Sequence, residues 1–199
     1  MTRLMRLVAL LLACSLALPL HAAELTPHKA EYKVSVSIVG GRLRTELKAT
    51  DDGLVATHAI KPTGLGKIVG GRMHVTSTFA SSEDGLLPIS YHAIDTITDD
   101  PEAKIAFDWS TNVASGTVDG SPVEFQLEGL AFDAVSLQYE LMHNLLNGEP
   151  DTTYTIFDVD KMRVINVRNA GRKSVKTKAG TFDVVGIQHQ REGSRRVTT

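Results

Sequence analysis

The chain has 199 residues and a formal net charge of −2 at pH 7, with 42% hydrophobic and 22% charged residues. Its only cysteine, Cys14, lies in an N-terminal apolar run, which excludes a disulfide scaffold and thiolate chemistry for the chain that follows the run. About 176 residues follow residue 23, enough for one domain with a sizeable hydrophobic core.

Residues 1–23 have the layout of a secretory signal peptide. Arg3 and Arg6 precede the apolar run, which is too short to span a bilayer comfortably, and small residues follow it. We expect cleavage after Ala23, export to the periplasm, and a mature chain with no transmembrane span. The letters LLAC around Cys14 resemble a bacterial lipoprotein box, so anchoring through a lipid on Cys14 is the alternative.

Alternation of apolar and polar residues with a period of two recurs along the rest of the chain. It is found in EYKVSVSIV, RMHVTSTF, KIAFDW, PVEFQL, YTIFDV, MRVINV and FDVVGI, which are rich in β-branched and aromatic residues. Asp-Gly pairs at 52–53, 84–85 and 119–120 fall between such runs, where a hairpin turn needs positive φ. About eleven or twelve short strands predict a mainly all-β domain over 24–199, an antiparallel meander that forms a curved sheet or an open β-barrel.

The segment 133–147 predicts one α-helix packed on this sheet. Asp133 is the predicted N-cap, and Gly148 suits the left-handed position just past the end. Residues placed 100° apart give an apolar arc about 200° wide, made of Val135, Leu137, Tyr139, Leu141, Met142, Leu145 and Leu146. The opposite, polar side is expected at the surface and holds Ser136, Glu140, His143, Asn144 and Asn147.

Ser136, Glu140 and His143 suggest hydrolytic chemistry, but their spacing argues against it. Seven residues separate Ser136 from His143, about 10.5 Å along a helix axis, whereas a nucleophile and its base approach within about 3 Å. Glu140 and His143 fit an ordinary surface pair. Since we find no other motif with catalytic geometry, we expect the protein not to be an enzyme.

The glycine-rich segment 64–71, GLGKIVGG, precedes a strand pattern rather than a helix, so it does not predict a nucleotide-binding loop. It predicts a flexible loop, or an apolar lip at the mouth of a pocket between helix and sheet. The candidate contacts for an apolar ligand are Leu65, Ile68, Val69, Trp109, Met142 and Leu146. For Trp109 the alternative is a place in the core, where a lone tryptophan is found more often.

Acidic residues cluster in DTITDDPE, at Asp95, Asp99, Asp100 and Glu102. Their oxygens suit calcium, but the spacing matches no EF-hand loop, so incidental calcium binding is the alternative to a plain turn. The histidines lack zinc-ligand spacing. We expect no metal, no cofactor and no nucleic-acid partner.

Charge is unevenly distributed, with formal charges of +3 over 24–82, −15 over 83–160 and +8 over 161–199. Within 161–178 all charged residues are basic, and Arg163 and Arg168 are candidate contacts for an anionic surface. The alternative is that this run neutralises acidic strands from 83–160 across a sheet, and we expect this alternative to hold.

Four motifs span most of the chain after residue 23. They are a Y-x-V-x-V strand with a following glycine (32–40), FDW (107–109), D-x-x-S-L-x-Y-x-L (133–141) and VKTKAGTFDV (175–184). In these motifs the chain resembles the exported bacterial proteins grouped as domain of unknown function 3108. The resemblance implies a curved antiparallel sheet or open barrel with one helix against it. It provides no catalytic residue that could be assigned to this chain. It also implies a further C-terminal hairpin, which we expect this sequence to lack.

These patterns favour an exported cell-envelope protein that binds an apolar or lipid-like ligand between sheet and helix without catalysing a reaction. The alternative is an assembly or scaffolding factor that binds another envelope protein through a sheet edge or its charged faces.

Overall fold

A computed structural model describes most of the chain after residue 23. The described residues are 24–36, 39–64, 70–82, 85–148, 150–158 and 161–199. The predicted signal peptide, including Cys14, lies outside them. The described part contains strands β1 to β13 and one helix, α1, so the expected mainly-β fold with a single helix is confirmed.

The first sheet is an eight-stranded antiparallel meander in the order β1 to β8, with β1 and β8 at its edges. Its strands are β1 His28–Val36, β2 Val39–Thr50, β3 Gly53–Thr63, β4 Met73–Ser82, β5 Gly85–Asp95, β6 Asp100–Asp108, β7 Val113–Val118 and β8 Ser121–Gln126. Gly53, Gly85 and Gly120 have φ of 126°, 125° and 75°. Each follows an aspartate at a turn between strands, so the predicted hairpin positions are confirmed.

The second sheet was not predicted, because the sequence indicated a single meander. It contains β9 Ala131–Phe132, β10 Thr153–Asp158, β11 Lys161–Thr177, β12 Gly180–Arg191 and β13 Val197–Thr198, in the order β13-β12-β11-β10-β9. The helix α1 Ala134–Asn147 connects β9 to β10, which run parallel. A helical crossover returns the chain to the end of the sheet where β9 began, which is why this pair is parallel.

The helix lies between the two sheets and contacts β3, β4 and β5 of the first sheet and β9 and β10 of the second. Tyr139 is fully buried, and its ring lies on Phe79 with 5.5 Å between ring centroids. Burial of a large apolar side chain contributes about 1.5–3 kcal/mol. A second cluster, which includes Ile105, Phe107 and Phe157, fills the space beside β6 to β8.

The predicted start and end of the helix are confirmed, since Asp133 is the N-cap and Gly148 follows the last turn. The left-handed helical conformation expected of Gly148 is wrong, since its φ is 156° and its ψ is −124°. The predicted polar side is wrong at two positions. Ser136 and Glu140 are buried, because Ser136 closes the capping box with Asp133 and Glu140 lies against β5, where it accepts from the Leu86 N–H. Leu146, expected on the packed arc, is 55% exposed at the C-terminal end. Among the described residues, no helix has the length and apolar character needed to cross a membrane.

Candidate functional site

A buried hydrogen-bond network holds the N-terminus of α1 against the first sheet. The Asp133 carboxylate accepts from the backbone N–H groups of Val135 and Ser136 at 2.8 and 2.9 Å. It also accepts from the hydroxyls of Ser136 at 2.8 Å and Ser77 at 2.7 Å. Ser136 Oγ in turn accepts from the Asp133 N–H, which completes a capping box. The Ser136 hydroxyl therefore has a structural role.

Burial raises the pKa of Asp133, because desolvation disfavours the carboxylate. The hydrogen bonds from Ser77, Ser136 and Val135 act in the opposite direction and limit the effect. The folded protein therefore binds a proton at Asp133 more tightly than the unfolded chain does.

A second buried carboxylate, Glu140, connects the middle of the helix to the first sheet directly and to the second sheet through Asn144. It accepts from the Leu86 N–H at 2.8 Å and from Asn144 Nδ2 at 3.0 Å. Asn144 also donates to the Tyr154 hydroxyl, 3.1 Å away on β10. The predicted surface pair between Glu140 and His143 is therefore wrong, because the Glu140 side chain is 2% exposed and its oxygens have other partners.

Beside the capping network, a cavity of about 230 Å³ lies between the start of α1 and strands β3 to β6. Its lining is mostly apolar and consists of His58, Met73, Val75, Tyr91, Ala93, Asp95, Asp100, Pro101, Ala103, Ala134 and Val135. Three of these residues are alanines from three different elements. Ala93 and Ala103 point inward from neighbouring strands, and their short side chains leave the space open.

The volume limits what the cavity can hold. Pockets for drug-sized ligands occupy roughly 300–1,000 Å³, while an engineered cavity of about 150 Å³ holds benzene. By that ratio, 230 Å³ accommodates roughly nine non-hydrogen atoms. A small apolar molecule or the end of a chain fits, and a whole lipid does not.

Two polar groups in the cavity wall lack a protein partner. His58 is 8% exposed, and its Nε2 has no hydrogen bond to any described residue. Burial lowers the pKa of His58, so the ring is neutral near pH 7. The Tyr91 hydroxyl also lacks a partner in the described part of the chain, and burial, followed by the carboxylates of Asp133 and Asp100, raises its pKa.

Two carboxylates lie at the mouth of the cavity, where β5 ends and β6 begins. Asp95 and Asp100 are directly opposite each other in the antiparallel ladder. The Thr98 hydroxyl lies 2.9 Å from Asp95 Oδ2 and 2.8 Å from Asp100 Oδ2. A hydroxyl has one proton, so it donates to one of these carboxylates at a time.

A second depression, of about 510 Å³, lies at the other end of the helix beside Leu25, Leu86 and His143. It also borders Ser82, next to residues 83–84 outside the described part. The smaller cavity contains a buried polar atom, His58 Nε2, without a partner among the described residues. We therefore take the smaller cavity as the candidate site.

The predicted ligand contacts do not meet at this cavity. Trp109 lies at the far end of β6, where it donates from Nε1 to the Pro88 carbonyl at 2.6 Å and stacks on Phe107. Met142 packs against the main core, and Leu146 is exposed near the end of the helix. The predicted lip contacts Leu65, Ile68 and Val69 lie outside the described residues.

The basic run 161–178 has two parts with different surroundings. Arg163 forms an ion pair with Asp158, which also pairs with Arg191 at 3.0 Å. Arg168 donates to Gln188 at 2.5 Å. Neutralisation of an acidic strand is therefore seen at Arg163, while binding of Arg163 or Arg168 to an anionic surface stays a prediction.

Beyond residue 168, β11 pairs only with β12, so residues 168–185 form a two-stranded projection, which we call the basic ribbon. It carries Arg172, Lys173, Lys176 and Lys178, none of which forms an ion pair with a described residue. The expected neutralisation by acidic strands of 83–160 is wrong for these four residues, because their partner strand is β12.

Within the described ranges, no group of three or more His, Cys, Asp or Glu side chains is placed to hold a metal ion. The acidic cluster at 95–102 is instead a turn. Asp95 accepts from the N–H groups of Ile97 and Thr98 at 2.7 and 3.2 Å.

The family model described as Protein of unknown function (DUF3108) matches residues 30–199. The chain belongs to this family. No curated protein matches the chain, and no solved structure matches it. In this DUF3108 protein, the D-x-x-S-L-x-Y-x-L segment supplies the capping residues Asp133 and Ser136 and the buried Tyr139.

No motif in the sequence pointed directly to His58, Tyr91 or the alanines around them. A usable signal was present in the strand alternation, which places Ala56 and His58 on one face of β3 and Tyr91 and Ala93 on one face of β5. Small inward residues on neighbouring strands indicate unfilled space, but only once the strand pairing is known.

Proposed function

We propose that this protein binds a small apolar molecule, or the apolar end of a larger one, in the cavity between α1 and strands β3 to β6, and that it catalyses no reaction. The unfilled volume at Ala93 and Ala103 carries the proposal. The side chains around it leave about 230 Å³ open between the helix and the sheet, with a mostly apolar lining. Apolar surface that water would otherwise contact is stabilised when an apolar ligand covers it, and such clefts are common ligand sites.

The residues that suggested hydrolysis have structural partners in the helix and take no part in the proposed site. The Ser136 hydroxyl is held between the backbone and carboxylate of Asp133. His143 contacts Asn147 one turn further along the same helix. Neither side chain lines the cavity.

We also propose that the protein acts in the cell envelope, most simply as a soluble periplasmic binder. The support is the signal-peptide pattern of residues 1–23. Family membership adds no activity, since the family is described as of unknown function.

Native mass spectrometry of the protein isolated gently from its own cells tests ligand binding. Ala103→Leu fills the cavity, and Ala106→Leu places the same side chain on the exposed face of the same strand. We expect a bound small molecule on the wild type and on Ala106→Leu, and none on Ala103→Leu. A bound molecule that persists in Ala103→Leu would contradict the proposal. The proposal would also be contradicted if the wild type carries no bound molecule and medium-chain alcohols displace no polarity-sensitive dye from it.

The basic ribbon favours a second candidate function, docking to an acidic face of another envelope protein. Its four cations form no ion pair with a described residue and lie where the second sheet narrows to two strands, and Phe182 among them is 49% exposed. Complementary charge speeds such an encounter, and an exposed aromatic ring is a common anchor at interfaces.

A photocrosslinker at position 182, with position 90 on the first sheet as the exposed control, tests this function in cells. We expect one defined protein adduct from position 182 that is lost when Arg172, Lys173, Lys176 and Lys178 are replaced by glutamine. If no adduct forms, and the purified protein sediments with anionic but not with neutral vesicles, the basic ribbon binds a membrane surface instead of a protein.

A further inference from the structure

We propose that the ligand of the cavity carries a positively charged group, such as a protonated amine, which binds against Asp95 and Asp100 at the mouth while the apolar part fills the space behind them. This inference rests on the proposed apolar-ligand function, and it specifies the chemical class of the ligand.

The first support is the arrangement of the two carboxylates. Like charges directly opposite each other in an antiparallel ladder are destabilising, and Asp95 and Asp100 occupy such a pair of positions. Thr98 can neutralise neither of them, and its single proton serves one carboxylate at a time. A cation at the mouth would relieve this repulsion.

The second support is that no lysine or arginine among the described residues neutralises the two carboxylates at the mouth. Several carboxylates have basic partners in the described structure, namely Glu31 with Arg42 and Arg44, Glu46 with Lys29 and Lys48, Glu102 with Lys104, and Asp158 with Arg163 and Arg191. Asp95 and Asp100 form no ion pair with any described lysine or arginine. No basic side chain of the described residues therefore occupies the cavity mouth, and both carboxylates are open to a cation from a ligand.

The third support lies deeper in the same cavity. His58 is more than nine-tenths buried, and its Nε2 has no partner within the described part of the chain. A buried polar atom without a partner is destabilising, and a ligand that supplies the partner removes this cost. Together with the Tyr91 hydroxyl, which has no hydrogen bond to a described residue, the His58 ring indicates that the cavity binds a ligand with polar as well as apolar parts.

These features disfavour a carboxylate-bearing ligand such as a fatty acid. Its negative charge would lie against Asp95 and Asp100, and the neutral His58 would not compensate it. An alcohol gains the apolar contacts without the ionic one. An amine of the same length gains both.

Calorimetric titration of the full chain with hexylamine, 1-hexanol and hexanoate tests the inference, because the three probes differ only in their head groups. At neutral pH and low salt we expect hexylamine to bind roughly three- to tenfold more tightly than 1-hexanol, and hexanoate to bind most weakly. The advantage of hexylamine should shrink in high salt.

The matched variants are Asp95→Asn with Asp100→Asn, and Asp108→Asn as control. Asparagine at 95 keeps an oxygen for the turn, and Asp108 caps a similar turn at the other end of β6. The double variant should lose the preference for hexylamine and keep its affinity for 1-hexanol, while Asp108→Asn changes neither. Equal binding of the amine and the alcohol by the wild type, or tightest binding of hexanoate, would overturn the inference alone. Binding of none of the three probes would overturn the proposed function itself.

Discussion

Ser77 on β4 donates a hydrogen bond to the carboxylate of Asp133, 56 positions later in the chain, with 2.7 Å between Oγ and Oδ2. Both side chains are fully buried. The bond fixes the N-cap of the helix on the middle of the first sheet. The next two helix residues, Ala134 and Val135, form part of the cavity wall. The same network that begins the helix therefore also positions one wall of the proposed site.

The raised pKa of Asp133 makes stability depend on pH in a defined direction. Between the unfolded pKa of about 3.9 and the higher folded pKa, the folded state binds more protons. The free energy of unfolding therefore falls as the pH rises through this window. Asp133→Asn keeps the cap, because asparagine is an equally good N-cap residue, and it removes the titration.

Urea unfolding of both proteins from pH 3 to pH 8 measures this effect. We expect Asp133→Asn to gain stability relative to the wild type as the pH rises above about 4. Ser77→Ala serves as the companion variant, since it keeps the carboxyl and should keep the titration. A relative gain by the wild type over the same pH range would show that the pKa of Asp133 is lowered instead.

Gly85 lies against the buried Glu140 carboxylate. Its φ is 125°, and a Cβ at this position would lie 2.6 Å from Glu140 Oε1, an oxygen that Asn144 holds in place. We expect Gly85→Ala to lower the free energy of unfolding by about 2–3 kcal/mol. Gly120→Ala, also at positive φ but with no atom within 4 Å of the added Cβ, should cost about 1 kcal/mol. Equal losses in denaturant melts would show that Glu140 is free to move.

Much of the helix could be predicted from the sequence because its signals are local. The capping pattern at Asp133 and the glycine at 148 depend on residues within one turn, and both predicted ends of the helix are confirmed. The burial of Glu140 could not be predicted, since it depends on contact with Leu86 on β5, 54 positions earlier in the chain. The cavity could not be predicted for a similar reason, because its space arises where short side chains from different strands and the helix meet.

Two buried tyrosines differ in whether their hydroxyls have partners. The Tyr139 hydroxyl is buried without a hydrogen bond to a described residue, whereas Tyr154 contacts Asn144 Nδ2 and the Asp151 N–H at 3.1 and 2.9 Å. We expect Tyr139→Phe to raise the free energy of unfolding by about 1 kcal/mol and Tyr154→Phe to lower it by about 1–2 kcal/mol. Thermal and urea unfolding of the pair check the signs. A comparable loss in both variants would mean that the Tyr139 hydroxyl does have a partner.

Export can be tested on the intact protein. If residues 1–23 are a signal peptide, the mass of the protein from the periplasmic fraction should correspond to a chain that begins at Glu24. A chain that begins at a lipid-modified Cys14 would support the anchored alternative. An unprocessed chain in the cytoplasm would contradict both.

The binding of 1-hexanol to the wild type, Ala103→Leu and Ala106→Leu, measured by titration calorimetry at one temperature and pH, tests most directly whether the cavity is a ligand site. Leucine at 103 occupies the space between α1 and β6, while leucine at 106 lies on the outer face. We expect at least about a tenfold loss of affinity for Ala103→Leu, equivalent to about 1.4 kcal/mol, and no change for Ala106→Leu. Equal affinity in all three proteins, or no binding by the wild type, would contradict the assignment of the cavity as the site.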